Sequence, residues 1–511
     1  MYFRSPNLSL TDLLGEAYMH RVVQANVALG RLTAEEASRL ATEKVDFFPA
    51  ELQKQNDEML SLVGTQIIEP FEDAQDGAPT NAFRKATHKE SAPITGAGCF
   101  RIGQDGRLYL IGKSEHYHAS LGHKFNGYRL IDKARSLGIL NATHNNTRGY
   151  ITRLLETRLV QSANGIDWDD DVATKALVAS EEPHVLNRVI SLETGSLAVE
   201  AGVKMMLARF YRLDNTFPAP KYSGRIPVFF VMADNDGGKA GNYHGTTVLT
   251  QTFRGLWPEL CETADNGDLY KVVPVAINDI DDFEKKMVQY NTGKYKTAGF
   301  MHEIVMMNYG GIRLTKEYLQ AAHECCHRYD TPTLVDEIQS CMWYRGMFLF
   351  RLYGLTPDFA IIGKGFPGGE FSASKIITTA EMDTLNQFGA LVTNGQEELA
   401  SLSYLVTMTF MQENGDLVEK AGRLLMDELK AVQARHADTL DKVEGLDHLI
   451  GLQFADVQRA ADFAAKLNAR CIDSSAQLYK ANCPPAVLLK PPVISTEATV
   501  RYIASVIDEL L

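Results

Sequence analysis

Residues 331–340 read TPTLVDEIQS. Thr331-Pro332 forms a turn, Leu334-Val335 continue as an apolar stub, and the stub ends abruptly on Asp336-Glu337. A short apolar strand of this kind suits a parallel sheet covered on both faces by helices. Its acidic end would then lie where ligands gather in such sheets, beyond the carboxyl ends of the strands. Residues two apart on a strand share a face. Asp336 and Ile338 are therefore expected to face one way and Glu337 the other, in a structural hydrogen-bonding role.

The flanking sequence repeats the pattern. IPVFFVMA (226–233), YKVVPVAI (270–277), AGFMHEIVMM (298–307) and DFAIIGKG (358–365) are further apolar runs, with helix-length stretches such as 279–290 and 315–329 between them. This alternation predicts an α/β fold whose mostly parallel sheet lies between helices. The chain divides into four parts on this reading. Residues 1–90 form a helical N-terminal extension, with Thr33 as an N-cap and a linker over 72–81. Residues 91–150 form the N-terminal part of a small domain and begin with short strands. Residues 151–394 form the large domain, and 395–511 the C-terminal small domain, which opens on two helical stretches, 399–414 and 416–440.

Bulk properties exclude several classes. A chain of 511 residues is too long for one compact core. A formal net charge of −13 argues against a general nucleic-acid binder. No apolar run approaches the about 20 residues of a membrane span, and the N-terminus lacks the basic region and apolar core of a secretory signal. Seven irregularly spaced cysteines do not form a disulfide framework and point to a reducing, cytoplasmic setting. The HECCH stretch (323–327) invites a metal assignment. Adjacent cysteines on a helix diverge by about 100°, which does not suit a shared ion, so they are read as core residues and no metal is expected.

Unusual residues sit at the strand ends: Asp336, Lys364, and Tyr243-His244-Gly245 at the end of DNDGGKAGNYHG (234–245). Thr194-Gly195-Ser196 opens a helical stretch, the usual construction of a phosphate site. An amine held in a dry turn becomes nucleophilic. Together with a carboxylate and a phosphate cradle, it suits pyridoxal phosphate. On the residues alone a second account stands, in which Lys364 and Asp336 are charges on surface loops.

Five ordered motifs narrow this choice. LVDEIQ (334–339), GLTPDFAIIGKGFPGG (354–369), TGSLAVEAGVKMMLARFY (194–211), GNYHGTT (241–247) and HEIVMMNYGGIRLTKEYL (302–319) resemble those of the class III aminotransferases, from about residue 95 to the C-terminus. The ornithine, GABA and glutamate-1-semialdehyde enzymes are of this kind. The resemblance implies pyridoxal-phosphate fold type I: a large domain, a smaller α+β domain from the two chain ends and, here, the extra N-terminal helices. It implies that Lys364 is the Schiff-base lysine and proton shuttle, and that Asp336 pairs with the pyridine nitrogen. Ile338 and Tyr243 would cover the two ring faces, Gln339 would reach the ring oxygen, and His244 would adjoin the cofactor. Gly195 and Ser196 would hold the phosphate. Thr393 would reach a neighbouring subunit's phosphate site, which implies a homodimer with shared active sites. Tyr117, His118, Glu303 and Asn308 are the substrate candidates. The extension is read as a cap over the dimer or the active-site mouth.

The sequence also departs from the family pattern. Leu197 replaces a glutamate, and Glu303-Ile304 replaces Glu-Pro. Leu488 stands where many members carry an arginine that binds the substrate carboxylate. The expected activity is transfer of an amino group from an amino acid or amine to a keto acid or aldehyde. The alternative is an aminomutase, epimerase, decarboxylase or lyase on the same fold.

Overall fold

The computed structural model describes residues 2–72, 75–113, 118–141, 143–390, 392, 395–477 and 483–511. The large sheet has seven strands: β1 (Leu186–Leu192), β2 (Ile226–Met232), β3 (Lys271–Val275), β4 (Tyr295–His302), β5 (Thr333–Asp336), β6 (Phe359–Ile362) and β7 (Ser374–Thr379). Their spatial order is β1-β7-β6-β5-β4-β2-β3. β7 runs antiparallel to both neighbours, and the pairs β6–β5, β5–β4, β4–β2 and β2–β3 are parallel. Every residue of β2, β5, β6 and β7 is buried. This burial explains why β2, β5 and β6 read as apolar runs rather than as alternating ones.

Two of the seven strands, β1 and β7, were not among the sequence expectations. Their sequences, LNRVISL and SKIITT, mix polar residues into short runs. The run at 298–307 is not one strand. β4 ends at His302, and Val305–Met306 forms a separate two-residue ladder with Ile312–Arg313. The helices at 279–290 and 315–329 appear as Ile280–Gln289 and Lys316–Arg328, capped by the Asp279 and Thr315 side chains. Cys325 and Cys326 are buried on the latter.

The two stretches after 398 are one helix, Glu398–Arg435. Asn414-Gly415 resembles a break signal. Instead, the Asn414 amide donates to Phe410 O at 3.0 Å and to Arg4 O at 3.0 Å, so the N-terminal segment braces the helix there. The extension is helical as expected, and capping boxes at Ser9 and Thr33 start two of its helices. It packs into the main core: Phe3 and Phe48 meet Phe410 at 6.0 and 6.3 Å between ring centroids, and Arg4 pairs with Asp416 at 2.6 Å.

The chain ends meet in the smaller part. Ile472–Asp473 adds in parallel to Leu108–Ile111, which pairs with Phe100–Gly103 and through it with Pro93–Ala97. A second, antiparallel sheet runs Lys442–Leu446, Leu449–Gln453, Ala486–Leu489, Ser475–Ala476. Among the described residues, no helix is long and apolar enough to cross a membrane.

Candidate active site

Parallel strands deliver their last residues to one edge of the sheet. Asp336 is the final residue of β5, Glu303 follows β4, and Lys364 follows β6 two residues after its end. These three line a cavity of about 270 Å³. Gly195 and Ser196 enter its wall from the first turn of the Gly195–Leu207 helix. Tyr243 and His244 come from the loop after β2, and Ile338 and Gln339 from the turn after β5. His118, at a left-handed φ of 55°, lines the same cavity.

Asp336 is 4% exposed. Its Oδ2 lies 2.9 Å from His244 Nδ1, and its Oδ1 accepts from Ile338 N at 3.1 Å. The carboxylate is thereby fixed in direction. Glu337 points the other way, as the strand alternation requires. It is fully buried and accepts from Ser340 Oγ at 2.6 Å, Phe350 N at 2.6 Å and Leu349 N at 3.2 Å. Burial pushes its carboxyl up to about 7. Glu337 thus ties the segment that follows Asp336 to the Leu349–Leu352 helix.

Lys364 sits at φ 47°, a conformation that costs a non-glycine residue about 1 kcal/mol or more. The Ser120 hydroxyl donates to Gly365 O and holds this turn. The loop bearing Tyr243 is organised by buried Asp234, whose carboxylate accepts from Gly238 N at 2.6 Å and Ala240 N at 3.1 Å. The Arg254 guanidinium lies 5.4 Å from the Tyr243 ring centroid.

The start of the Gly195–Leu207 helix is built for an anion. Its N-cap, Thr194, makes no side-chain capping bond, and the Gly195 and Ser196 N–H groups have no protein acceptor among the described residues. Ser196 Oγ accepts from Thr246 N at 3.1 Å, which joins the helix start to the Tyr243 loop. Gly245 is required by the backbone it faces, whereas a Cβ on Gly195 would press on the end of the Ile338 side chain. A Cβ on Gly195 would fall 2.2 Å from Ile338 Cδ1, and one on Gly245 (φ +121°) would fall 2.8 Å from Ser196 Cα. Unsatisfied N–H groups at a helix N-terminus, an amine and a fixed carboxylate on one cavity fit pyridoxal phosphate, with its phosphate at the helix and its ring nitrogen at Asp336.

Several residues stand elsewhere. Asn308 lies on the short turn Met307–Tyr309, outside the cavity wall, with its carbonyl 3.9 Å from Cys483 Sγ. Tyr117 and Thr393 lie outside the described residues. Leu488 is buried in the Ala486–Leu489 strand opposite Gly451 and does not line the cavity. Lys490 is fully buried with Nζ 3.9 Å from the Trp343 ring centroid. Sequence reasoning passed over Glu193 and the run Phe371-Ser372-Ala373, all of which line the cavity. The last three lead into β7, so missing that strand hid them.

The profile of the family described as aminotransferase class-III matches residues 98–509. The chain belongs to the class-III aminotransferases. Members of this family are pyridoxal-phosphate-dependent transaminases. The class-III relatives include an ornithine aminotransferase of Exiguobacterium sp., 26% identical over 335 residues, spanning 63% of this chain and 74% of that one. An acetylornithine aminotransferase of Caldanaerobacter subterraneus is 22% identical over 347 residues, covering 67% and 80%. Among solved structures, adenosylmethionine-8-amino-7-oxononanoate aminotransferase from Methanocaldococcus jannaschii superposes with a TM-score of 0.65 at 20% identity, covering 89% of this chain and 98% of that one. The last likeness concerns the class-III aminotransferase fold alone.

Proposed function

We propose that this class-III aminotransferase carries out transamination with Lys364 as the cofactor-linked amine and proton carrier, and Asp336 as the partner of the ring nitrogen. The observation that carries the reading is the convergence of Asp336 and Lys364, from adjacent strands β5 and β6, on the cavity where the Gly195–Leu207 helix begins. Pyridoxal phosphate, when bound, supplies an electron sink for the α-carbon of the amine. Lys364 Nζ takes the proton from that carbon and carries it to the other side of the reaction. Asp336, oriented by His244 and Ile338 N, presents negative charge to the ring nitrogen. Ile338 and Tyr243 would hold the ring, Gln339 would hydrogen-bond its oxygen, and the N–H groups of Gly195 and Ser196 would bind the phosphate.

Further parts of the proposal concern organisation. Residues 151–394 act as the cofactor domain, 91–150 and 395–511 as the small domain, and 1–90 as an extension. Two copies assemble as a homodimer in the cytoplasm, with Thr393 serving the partner's phosphate site. His118 and Glu303 meet the substrate, and Tyr117 and Asn308 are assigned to the same role.

An amine added without an acceptor tests the reaction type. A transaminase consumes the visible cofactor band in a self-contained half-reaction. An epimerase or lyase, among the readings that Leu488 favours, consumes substrate and keeps the band.

A further inference from the structure

Two buried imidazoles stand outside the cavity and take no part in the chemistry described above. His302 is the last residue of β4, and His323 lies on the Lys316–Arg328 helix. His302 Nε2 is 2.9 Å from His323 Nε2, and His302 Nδ1 is 3.2 Å from the carbonyl oxygen of Glu303. Neither ring lines the cavity, whereas Glu303 does.

These contacts fix the order of the protons. A carbonyl oxygen only accepts, so His302 Nδ1 carries a hydrogen. Burial lowers His302 to about 3 and holds His323 well below its ordinary value, so both rings are neutral. His244 acts on His302, and His327 and His184 act on His323, in the same direction. His302 Nε2 is then a bare acceptor, and His323 Nε2–H donates to it. The order runs one way, from His323 to His302 and from His302 to Glu303. It leaves His323 Nδ1 bare, buried and without a hydrogen-bond partner among the described residues. A leucine would fill that helix position without the cost of a buried, unmade hydrogen bond. Packing alone therefore gives no reason for an imidazole at 323.

The reason lies at the other end of the chain of bonds. The last pair of the β4–β5 ladder is His302 with Val335, so Glu303 and Asp336 follow side by side just past it. A peptide beyond the end of a ladder loses the cross-strand bonds that hold its plane. The His302 side chain supplies such a bond to Glu303 O, and His323 fixes the His302 ring. We propose that His323 is a positioning residue for the transamination site: through the His302 imidazole it holds the Glu303 peptide, and with it the side chain that Glu303 presents to the cavity. This rests on the site as read above and adds a residue that touches neither cofactor nor substrate.

The test reads the pH midpoint of the visible cofactor band of the holoenzyme, which responds to the charges around Lys364 without any substrate. Glu303 and Lys364 flank Asp336 from β4 and β6, two strand spacings or roughly 10 Å of backbone apart. Negative charge at Glu303 favours the protonated form of the cofactor-linked amine, so Glu303→Gln should lower the midpoint by about half a unit to one unit. His323→Leu should lower it by roughly half that amount or more, and the double variant should move no further than Glu303→Gln alone. His323→Gln, which keeps an N–H donor, should restore the midpoint to within about 0.2 unit of the unaltered enzyme. Nitrogen-15 spectra of histidine-labelled apoprotein read the proton order with no cofactor present: His302 should be the Nδ1–H form and His323 the Nε2–H form. His302 in the Nε2–H form, additive shifts in the double variant, or an unmoved midpoint in His323→Leu or in Glu303→Gln overturns the positioning role and leaves the Lys364 reading intact. A holoenzyme with no visible band overturns the Lys364 reading instead, and the nitrogen spectra then decide the imidazole order by themselves.

Discussion

His244 Nδ1 and Asp336 Oδ2 lie 2.9 Å apart in a pair whose side chains are 2% and 4% exposed. Two separate elements, the loop after β2 and the end of β5, are thereby joined at the carboxylate meant for the cofactor's ring nitrogen. A buried hydrogen bond to a charged group contributes about 1.5–3 kcal/mol. His244→Phe should weaken pyridoxal phosphate binding by roughly tenfold to a hundredfold, with the far-UV spectrum of the apoprotein unchanged. Titration of the apoprotein with cofactor checks this, and an unaltered Kd would show that His244 does not orient Asp336.

Gly245 gives a second, purely steric prediction. Alanine there must hold a φ of +121° and place Cβ 2.8 Å from Ser196 Cα, on the segment that cradles the phosphate. Gly245→Ala should lower cofactor affinity by about tenfold or more, in line with a conformational cost of about 1–2 kcal/mol. The same titration with inorganic phosphate as competitor shows whether the loss lies at the phosphate end.

Acid should destabilise the fold in a defined window. Burial lowers His302 to about 3 and His448 to about 4, and holds His323 well below its ordinary value. The unfolded chain protonates these histidines near 6.5. The contribution of each neutral imidazole is therefore present above that value and is lost as pH falls toward the folded values. Each contributes up to about 1.4 kcal/mol per pH unit there. Glu337, raised to about 7, has the opposite sign and offsets part of the slope. Urea unfolding of the apoprotein between pH 7 and 4.5 should show falling stability. His448→Gln, whose site on Val418 O is remote from the cavity, should flatten that slope.

A second buried lysine offers a control. Lys375, on β7, is 1% exposed and is brought down to about 8 by burial, yet it does not line the cavity. Lys375→Met should leave the visible cofactor band in place. Lys364→Met should remove the band and lower turnover by roughly a hundredfold to ten-thousandfold.

The legible parts of the fold were those where local pattern and tertiary role agree. β2, β5 and β6 are buried along their whole length and read as apolar runs, and the Thr33 cap bonds as its spacing suggests. Asp336 and Lys364 stood out because a charge that ends an apolar strand needs a reason. β1 and β7 were hidden because their stability comes from pairing with each other and with β6, not from composition. Phe371, Ser372 and Ala373 were lost with β7. The Glu398–Arg435 helix was cut at Asn414, since the carbonyl of Arg4 that receives its amide is distant in sequence. The Glu337 carboxyl was assigned a structural role correctly because strand alternation alone decides its face.

Borohydride reduction of the holoenzyme, followed by peptide mapping, tests the role of Lys364, because it fixes the cofactor to the lysine that holds it. The account predicts one labelled peptide, with the label on Lys364. A label on Lys375 or another lysine, or no label on a protein that binds the cofactor, would contradict it.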